Sequence, residues 1–489
     1  MNKVVKNTIL VFIGIICLYE SGLGIWQIVG SRLNIISEGF CTGTFPNPGP
    51  YGGFLAICAC TLGAYTIDKN NSSHIRLFAS ICTVAALIIL PSTQSRAAIL
   101  ALFCAATPAV VLNPKSRYYL KKYWIVLSVS VVVLTAIAYN LKRPSADGRF
   151  FMDKICLKAM HDNGWKGVGF GSFGKAYGKA QHDYFKQQIE RNGKDELDWS
   201  VIDDHERLIA DSPVYAFNEY LSIGVEAGAI VMLLFIGLII IALVLSFRWH
   251  TIWRYGLIAF AVFAFFSYPL HIKELQALFL VLIVAGMLDA PQTDRGWLYR
   301  AGMTVVVILF VSLGSIVVMK YPELKDKRRI ETEWKSTENL YKMECYDCVV
   351  ERGKVLFPHK KNDQRFLFAY GQSLNKTGNY ELSDSILKLG TMISADPMFW
   401  NVMGNNSMAL GKYREAEERY KYAFQILPNR LYPLYLLAKL YYAEGDAARF
   451  IEMAEKVAGF VPKVESVNTK LLRSEIAELR INYNTEKEK

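Results

Sequence analysis

The residues best suited to chemistry in this sequence are carboxylates and an arginine that lie beside long apolar runs. Glu219 and Glu226 lie near the start of the run Val214–Ser246, and their spacing places them on one face of a helix. Carboxylates at the start of an apolar helix are costly to desolvate, which indicates a functional position. Arg96 lies between two short apolar runs, where a guanidinium either contacts a partner in a cavity or extends to the membrane interface. Both interpretations of Arg96 are open on this basis.

A polar segment from 141 to 213 is too long to be an ordinary connection between helices. Its first part, Leu141–Lys186, has nine basic and four acidic residues, whereas Gln187–Pro213 has three basic and eight acidic residues. A basic region that also contains glycines is suited to an anion, through its side chains and backbone N–H groups. Residues 169–174 match the pattern G-x-G-x-x-G, but no βαβ pattern surrounds them. The match therefore indicates a tight turn and not a dinucleotide site.

Long apolar runs dominate residues 1–319, whereas residues 320–489 have the composition of a soluble protein. A helix needs about 20 residues to cross the hydrocarbon core, so the runs predict about nine spans. The candidate spans are Thr8–Gly30, Tyr51–Ile67, Leu77–Leu90, Ala97–Leu112, Trp124–Tyr139, Val214–Ser246, Tyr255–Tyr268, Leu275–Leu288 and Met303–Met319. The sequence therefore predicts an all-α fold, in which a polytopic α-helical membrane domain at 1–319 precedes a soluble part.

The distribution of charge predicts how the chain crosses the membrane. The net charge is +11, and in a membrane protein such an excess reports topology and contact with membrane lipids, so no nucleic-acid partner is predicted. Two lysines before the first span predict a cytoplasmic start, and counting spans from there places segment 141–213 and the C-terminal part outside. The basic run at 325–329 favours the opposite side, but long soluble domains translocate despite such charge.

The C-terminal part has a repeat of 33–34 residues from about residue 364. Gly378, Gly411 and Gly445 mark the same turn in consecutive units, which predicts an α-solenoid of three tetratricopeptide repeats over 364–464. The residues at tetratricopeptide spacing in the middle unit are Trp400, Gly404, Ala416, Tyr420, Ala423 and Pro428. We interpret 320–363 as a linker and 465–489 as a helix with a polar tail. The repeats form a binding surface, for which we expect an envelope protein as partner.

Cys345 and Cys348 form one C-x-x-C pair. A zinc site of this type requires a second pair of ligands at similar spacing, and the sequence contains no second C-x-x-C. The pair therefore predicts a local disulfide if the C-terminal part lies outside the cytoplasm. The other cysteines are mostly inside apolar runs, where a thiol behaves as a small apolar group.

With these residues described, the membrane part resembles the O-antigen ligase and polymerase superfamily over about residues 40–290. The matching positions, in the order of the family, are Gly43-Thr44-Phe45 with Asn47, Ser95-Arg96-Ala97, Gly148-Arg149, Gly167-Val168-Gly169 with Phe173, and Ala216 with Asn218-Glu219-Tyr220-Leu221. The resemblance implies a metal-independent inner-membrane glycosyltransferase without a cofactor. Such enzymes take a glycan from a polyprenyl-pyrophosphate carrier at the outer leaflet and transfer it to lipid A–core, a polysaccharide or a protein hydroxyl.

The resemblance also implies roles for particular residues. Two arginines of the family, which correspond to Arg96 and Arg149, hold the pyrophosphate, and Asn47 and Asn218 are supporting residues. This role suits arginine, because its guanidinium has a fixed charge and binds an anion in a bidentate way. The chain departs from the family at Phe217, where the family has a histidine, and also in having fewer spans than the family's usual number.

Phenylalanine cannot exchange a proton, so the catalytic base has to come from elsewhere. Glu219 and His205 are the nearest candidates, whereas His271, in a turn after a span, is more typical of a structural histidine. The departure at Phe217 favours a second hypothesis, that of a catalytically inactive membrane adaptor whose repeats recruit envelope proteins. Arg96 and Arg149 oppose that hypothesis, because an inert scaffold does not need arginines at the membrane edge. A third hypothesis, a transporter or flippase, would require charged residues deep within several spans, which the sequence does not show.

Overall fold

The computed structural model describes residues 1, 3–33, 41–67, 71–112, 118, 122, 143–191, 196–291, 296 and 321–487. The chain divides into two compact units. The first unit comprises 1–141, 216–223 and 230–318, and the second comprises 142–215, 224–229 and 319–489. The described residues are predominantly helical, which confirms the predicted all-α class. Two predicted spans, Trp124–Tyr139 and Met303–Met319, lie outside the described residues.

Eleven of the described helices precede residue 291. They are α1 (Lys3–Arg32), α2 (Pro48–Ile67), α3 (Ser73–Ile89), α4 (Arg96–Leu112), α5 (Arg143–Asp162), α6 (Phe173–Arg191), α7 (Asp204–Ile209), α8 (Glu219–Ala227), α9 (Ala229–Arg248), α10 (Trp253–Phe265) and α11 (Lys273–Leu288). Four helical stretches are long and apolar enough to cross a membrane, namely α1, α2, α3 with the 3-10 turn that follows it, and α9, while α4 and α10 are shorter apolar helices. These helices confirm a membrane protein.

Helix α2 is the most enclosed of the four candidate spans, and it packs closely against α10. A Cβ on Gly53 would lie 2.3 Å from the ring of Phe263, and a Cβ on Gly256 would lie 2.3 Å from Oγ1 of Thr61. These two contacts pair the start of α2 with the end of α10, so the helices are antiparallel. The packing therefore brings the residues just before α2 close to those just after α10.

The long apolar run Val214–Ser246 forms two helices, α8 and α9, instead of one. Gly228 separates them with a φ of +95°, a conformation that glycine adopts at little cost because it has no Cβ. The break at Gly228 ends α8, so Glu226 lies near the end of this helix, and Glu219 lies in its first turn in the first unit.

Nine further helices form the C-terminal part of the second unit. They are α12 (Tyr321–Lys342), α13 (Tyr346–Lys360), α14 (Gln364–Lys376), α15 (Tyr380–Thr391), α16 (Met398–Ala409), α17 (Tyr413–Ile426), α18 (Tyr432–Glu444), α19 (Ala447–Gly459) and α20 (Val467–Lys487). Helices α14 to α19 form three pairs, with turns at the positions that the sequence indicates. The segment interpreted as a linker forms the helices α12 and α13 instead. Trp334 on α12 packs against Phe366 of the first repeat, so α12 belongs to the hydrophobic core of the repeats.

Candidate functional site

Glu219 lies in the first turn of α8, and contacts on two sides hold its carboxylate. The residue is 1% exposed. Its Oε2 accepts the backbone N–H of Leu270 at 2.8 Å, and its Oε1 lies 3.4 Å from Nδ1 of His271. Leu270 and His271 belong to a 3-10 turn, Pro269–His271, between α10 and α11. The structure therefore places a histidine against the predicted catalytic carboxylate.

Tyr268 connects this turn to two other predicted positions. Its hydroxyl accepts a hydrogen bond from Nδ2 of Asn47 at 2.7 Å. The ring of Phe217 packs edge-on against the ring of Tyr268, with 5.4 Å between the centroids. The antiparallel packing of α2 and α10 produces the contact between Asn47 and Tyr268, because Asn47 precedes α2 and Tyr268 follows α10. The position at which the family has a histidine therefore lies beside the turn that carries His271.

Asn47 and Asn218 both begin helices in this region. Oδ1 of Asn47 accepts the N–H of Gly49 at 3.0 Å, in the first turn of α2. Asn218 is buried, and its Oδ1 accepts the N–H of Leu221 at 3.3 Å, which caps α8. Both asparagines therefore stabilise the start of a helix in the first unit.

Arg96 is half-buried at the start of α4, in the same unit. Oγ of the preceding residue, Ser95, donates to the carbonyl oxygen of Gly49 at 3.4 Å. Because Gly49 also donates to Asn47, the segment that carries Arg96 contacts the same helix start as Asn47. Arg96, Asn47, Asn218 and Glu219 therefore belong to one continuous region of the first unit.

Arg149 and His205 belong to the second unit. Arg149 is half-buried on α5. His205 is on α7, where its Nε2 lies 3.1 Å from Oδ2 of Asp147, a buried residue of α5 that also faces Nε of Arg143 at 3.5 Å. The side chain of His205 is 56% exposed. The structure therefore places His205 in a polar cluster with Asp147, which lies two positions before Arg149 in the sequence.

A second cluster holds α7 against its neighbours. Nζ of Lys154 lies 2.6 Å from Oε1 of Glu206 and also donates to the hydroxyl of Tyr184, which in turn donates to Glu206. Burial opposes the charged form of Lys154, but its hydrogen bonds to Glu206 and Tyr184 outweigh that effect and raise its pKa. These contacts fix the short helix on which His205 is carried.

The glycine-rich loop 166–172 holds an anion, and that anion is the carboxylate of Glu226. Oε1 of Glu226 accepts the backbone N–H groups of Gly171 at 2.9 Å and of Phe173 at 3.3 Å, at the start of α6. A Cβ on Gly167 would lie 2.3 Å from the carbonyl oxygen of Glu226. The glycines therefore allow close approach of the backbone. The position of Glu226 near an apolar run indicated a function, but in the structure its carboxylate holds the glycine-rich loop in place.

The polar segment packs against the repeats within the second unit. Nε2 of Gln181 donates to the carbonyl oxygen of Ile426 at 2.7 Å. Arg207 is 2% exposed and donates to the carbonyl oxygen of Val461 at 2.9 Å. Asn429 donates to the carbonyl oxygens of Arg207 and Ala210 at 2.8 and 2.9 Å. Part of the binding surface of the repeats is therefore occupied by the chain itself.

The sequence interpretation underrated His271 and missed Tyr268, because both contact their partners only through packing between helices. Tyr268 meets Asn47 where α2 packs against α10. His271 meets Glu219 where α8 contacts α10, through a hydrogen bond from the hydroxyl of Tyr220 to the carbonyl oxygen of Ala261. The one signal was a proline-containing turn after an apolar span, which is common in structural turns. In the part of the chain that the structure describes, no group of three or more His, Cys, Asp and Glu residues is arranged to hold a metal ion. Cys345 and Cys348 form a disulfide at the start of α13.

Two family models match parts of the chain. Residues 81–236 match the family model described as O-antigen ligase, and residues 407–467 match a tetratricopeptide repeat model. The first segment is therefore similar to O-antigen ligases and the second to tetratricopeptide repeats. No curated protein matches the chain. The ligase match includes Arg96, Arg149, His205 and Glu219, whereas His271 lies outside it.

The match supports a membrane enzyme that transfers a glycan, in the general manner of a ligase or polymerase. The substrates of such an enzyme are a lipid-linked glycan and an acceptor, and the repeats indicate protein interaction. The resemblance read from the sequence is therefore confirmed for the family and for the C-terminal repeats.

Proposed function

We propose that this protein transfers a glycan from a polyprenyl-pyrophosphate carrier to a lipid, polysaccharide or protein acceptor at the outer leaflet of the bacterial inner membrane. The ligase match supports the reaction type. The observation that carries the proposal is the contact of Glu219 with His271, because it supplies a base in a chain that has Phe217 at the family's histidine position. Asn47 and Arg96 belong to the same region of the first unit.

His271 acts as the base in this proposal, and Glu219 orients it. With Nδ1 protonated toward the carboxylate, Nε2 is the nitrogen that accepts a proton. The acceptor hydroxyl gives its proton to Nε2, and its oxygen forms a bond to the anomeric carbon. The bond between that carbon and the phosphate oxygen breaks, and its electron pair leaves with the pyrophosphate. Glu219 stabilises the imidazolium that forms, as the carboxylate does in hydrolases with a Ser-His-Asp triad.

Arg96 and Arg149 neutralise the leaving pyrophosphate in this proposal, in place of a metal ion. Lysine keeps the charge but loses the bidentate geometry, so we expect Arg96→Lys and Arg149→Lys to lower transfer strongly, and the alanine variants to lower it further. Addition of EDTA should leave transfer unchanged. Normal transfer by Arg149→Ala at unchanged protein level would remove that arginine from the assignment.

Several observations support an extracytoplasmic position for the polar segment and the repeats. Residues 142–215 and 319–489 belong to one compact unit, which favours the same side of the membrane for both. The disulfide between Cys345 and Cys348 is typical of an oxidising compartment. The count of predicted spans gives the same side.

Labelling tests this topology. We expect an impermeant thiol reagent to label Glu190→Cys and Lys412→Cys in intact spheroplasts of a cysteine-depleted background, since both positions are exposed. Labelling of Glu190→Cys together with protection of Lys412→Cys would contradict the proposed side of the repeats. Arg76→Cys, which the span count places in the cytoplasm, is the control that should stay protected.

The proposed reaction is tested with purified protein in proteoliposomes that contain a polyprenyl-pyrophosphate-linked glycan and an acceptor. We expect transfer by the parent protein and its loss in Glu219→Gln. The variant His74→Gln is the matched control, because His74 is an exposed histidine of the same unit. No transfer by the parent with any of the three acceptor classes, lipid, polysaccharide or protein, would favour the inactive adaptor whose repeats bind other proteins.

A further inference from the structure

A cleft of about 590 Å³ lies within the second unit, between α6 and the repeats. Helix α6 contributes Lys175 and Lys179, which are exposed and four residues apart, so they project from the same face. Lys388 of α15 is also exposed and lines the cleft from the side of the repeats. Close approach of Gly178 to Ala395, where a Cβ would lie 3.0 Å from the Cα, seats α6 directly on the turn after α15.

Each acidic residue of the cleft faces an arginine, and Asp384 and Glu415 share Arg419. Nη2 of Arg419 lies 3.1 Å from Oδ2 of Asp384 and 2.7 Å from Oε1 of Glu415. Glu418 faces Nε of Arg414 at 3.5 Å. By contrast, the three lysines have neither an ion pair nor a hydrogen bond from their ammonium groups among the residues that the structure describes. The cleft therefore has four basic and three acidic lining residues, and its three ammonium groups are the basic groups that have no carboxylate partner among the described residues.

An aromatic surface lies beside these charges. Trp400 and Tyr422 both line the cleft, with 4.3 Å between their ring centroids. His182 stacks on Tyr422 at 4.1 Å and is itself held by a contact of 2.9 Å with Gln425, so Tyr422 is fixed in position. A rigid aromatic pair offers large contact area at little cost in side-chain entropy, and it suits the apolar face of a sugar ring.

We propose that this cleft binds an acidic saccharide, a stretch of the glycan that carries carboxylate or phosphate groups. The proposal rests on the proposed function and adds a class of substrate to it. Ammonium groups on two walls match anionic substituents spaced along a chain, and Trp400 stacks on a sugar ring. An acidic peptide is the less suitable occupant, because the neighbouring surface of the repeats already holds the chain's own segment through Gln181 and Asn429.

Calorimetric titration of the full-length protein in nanodiscs tests the cleft, with hexagalacturonate as the probe. We expect binding that weakens as salt rises, and at least about tenfold weaker binding of neutral maltohexaose. The double variant Lys175→Glu/Lys179→Glu should weaken hexagalacturonate binding about tenfold, and Trp400→Ala about fivefold. Lys376→Glu, an exposed lysine outside the cleft, should change binding less than about twofold. Unchanged melting curves of the variants show that they are folded.

Three results would overturn the proposal: no binding of hexagalacturonate, equal binding of maltohexaose, or equally tight binding of hexaglutamate. Measurement of glycan transfer in the same preparations distinguishes failure of the cleft proposal from failure of the proposed transfer reaction. A protein that transfers glycan but does not bind hexagalacturonate contradicts the cleft alone. A protein that binds hexagalacturonate through Lys175, Lys179 and Trp400 but transfers nothing contradicts the reaction and leaves a saccharide-binding cleft.

Discussion

Each of the two units contains a histidine beside a carboxylate, and the two pairs differ in their surroundings. In the first unit, His271 lies 3.4 Å from Glu219, whose side chain is 1% exposed, and the imidazole is 21% exposed. In the second unit, His205 lies 3.1 Å from Asp147, which also faces Arg143, and the imidazole is 56% exposed. The shorter distance therefore belongs to the more exposed pair.

The comparison shows that distance alone does not identify a catalytic pair. A carboxylate away from water stabilises a nearby imidazolium more strongly, because solvent screens the interaction less. At Asp147 an arginine already supplies positive charge, and water reaches the imidazole. We therefore assign proton transfer to His271 with Glu219, and an ordering role on the polar segment to His205 with Asp147.

The largest expected effect separates the two histidines. His271→Gln should lower the transfer rate by about 10²–10⁴-fold, which is the usual contribution of a positioned base. His205→Gln should change it less than about threefold, since an exposed ion pair contributes little. Rates measured in proteoliposomes at equal protein level decide between them. A loss in His205→Gln as large as that in His271→Gln would remove the distinction between the pairs.

A second prediction concerns the glycine-rich loop, where the expected effect is on stability. Gly167→Ala places a Cβ 2.3 Å from the carbonyl oxygen of Glu226, so the loop has to move away, at a cost of about 3 kcal/mol. Gly148→Ala is the matched control, because its Cβ meets only the carbonyl oxygen of Ile209, at 3.7 Å. We expect thermal unfolding to start at lower temperature only in Gly167→Ala. Equal melting of the two variants would contradict the tight contact.

A smaller effect is expected where the repeats hold the polar segment. Asn429 is 1% exposed, and Asn429→Ala removes the amide that donates to the carbonyl oxygens of Arg207 and Ala210, which costs about 2 kcal/mol although Nζ of Lys463 still donates to Ala210. The control Asn468→Ala changes an exposed asparagine of α20. Hydrogen exchange should speed up in α7 of Asn429→Ala and remain unchanged in the control. Unchanged exchange in both would mean that the repeats do not hold this segment.

The smallest effect is expected at Arg143, which is more than half exposed beside Asp147. Arg143→Ala should lower stability by less than about 1 kcal/mol, because solvent screens an exposed ion pair. The transfer rate should stay close to that of the parent. Thermal unfolding and the proteoliposome assay measure the two quantities. A strong loss of transfer would show that the cluster around Asp147 contributes to the reaction.

Features that depend on local pattern could be predicted from the sequence. The length of the apolar runs predicted the helices of the first unit within the described residues, and the repeat period predicted the three helix pairs of the C-terminal part. Trp334, however, makes α12 part of the helical core, which composition alone could not show. The contact of Glu219 with His271 could not be predicted either, because it depends on how α8 packs against α10, where the hydroxyl of Tyr220 donates to the carbonyl oxygen of Ala261 at 2.9 Å.

Glu226 illustrates the opposite error. A carboxylate at the start of an apolar run indicates function, but its partners are the backbone N–H groups of Gly171 and Phe173. Every residue except proline has a backbone N–H group, so the sequence does not show which of these groups bind an anion. The loop whose glycines indicated an external anion binds the carboxylate of Glu226 instead.

In the proposed reaction, His271 performs the role for which the family has a histidine at position 217. The most direct test moves that histidine back, by combining Phe217→His with His271→Gln and measuring transfer in proteoliposomes. We expect His271→Gln to be nearly inactive and the double variant to recover at least about tenfold, since the ring at position 217 packs beside the turn that carries His271. Transfer by His271→Gln at the parental rate, with or without Phe217→His, would show that His271 is not the base.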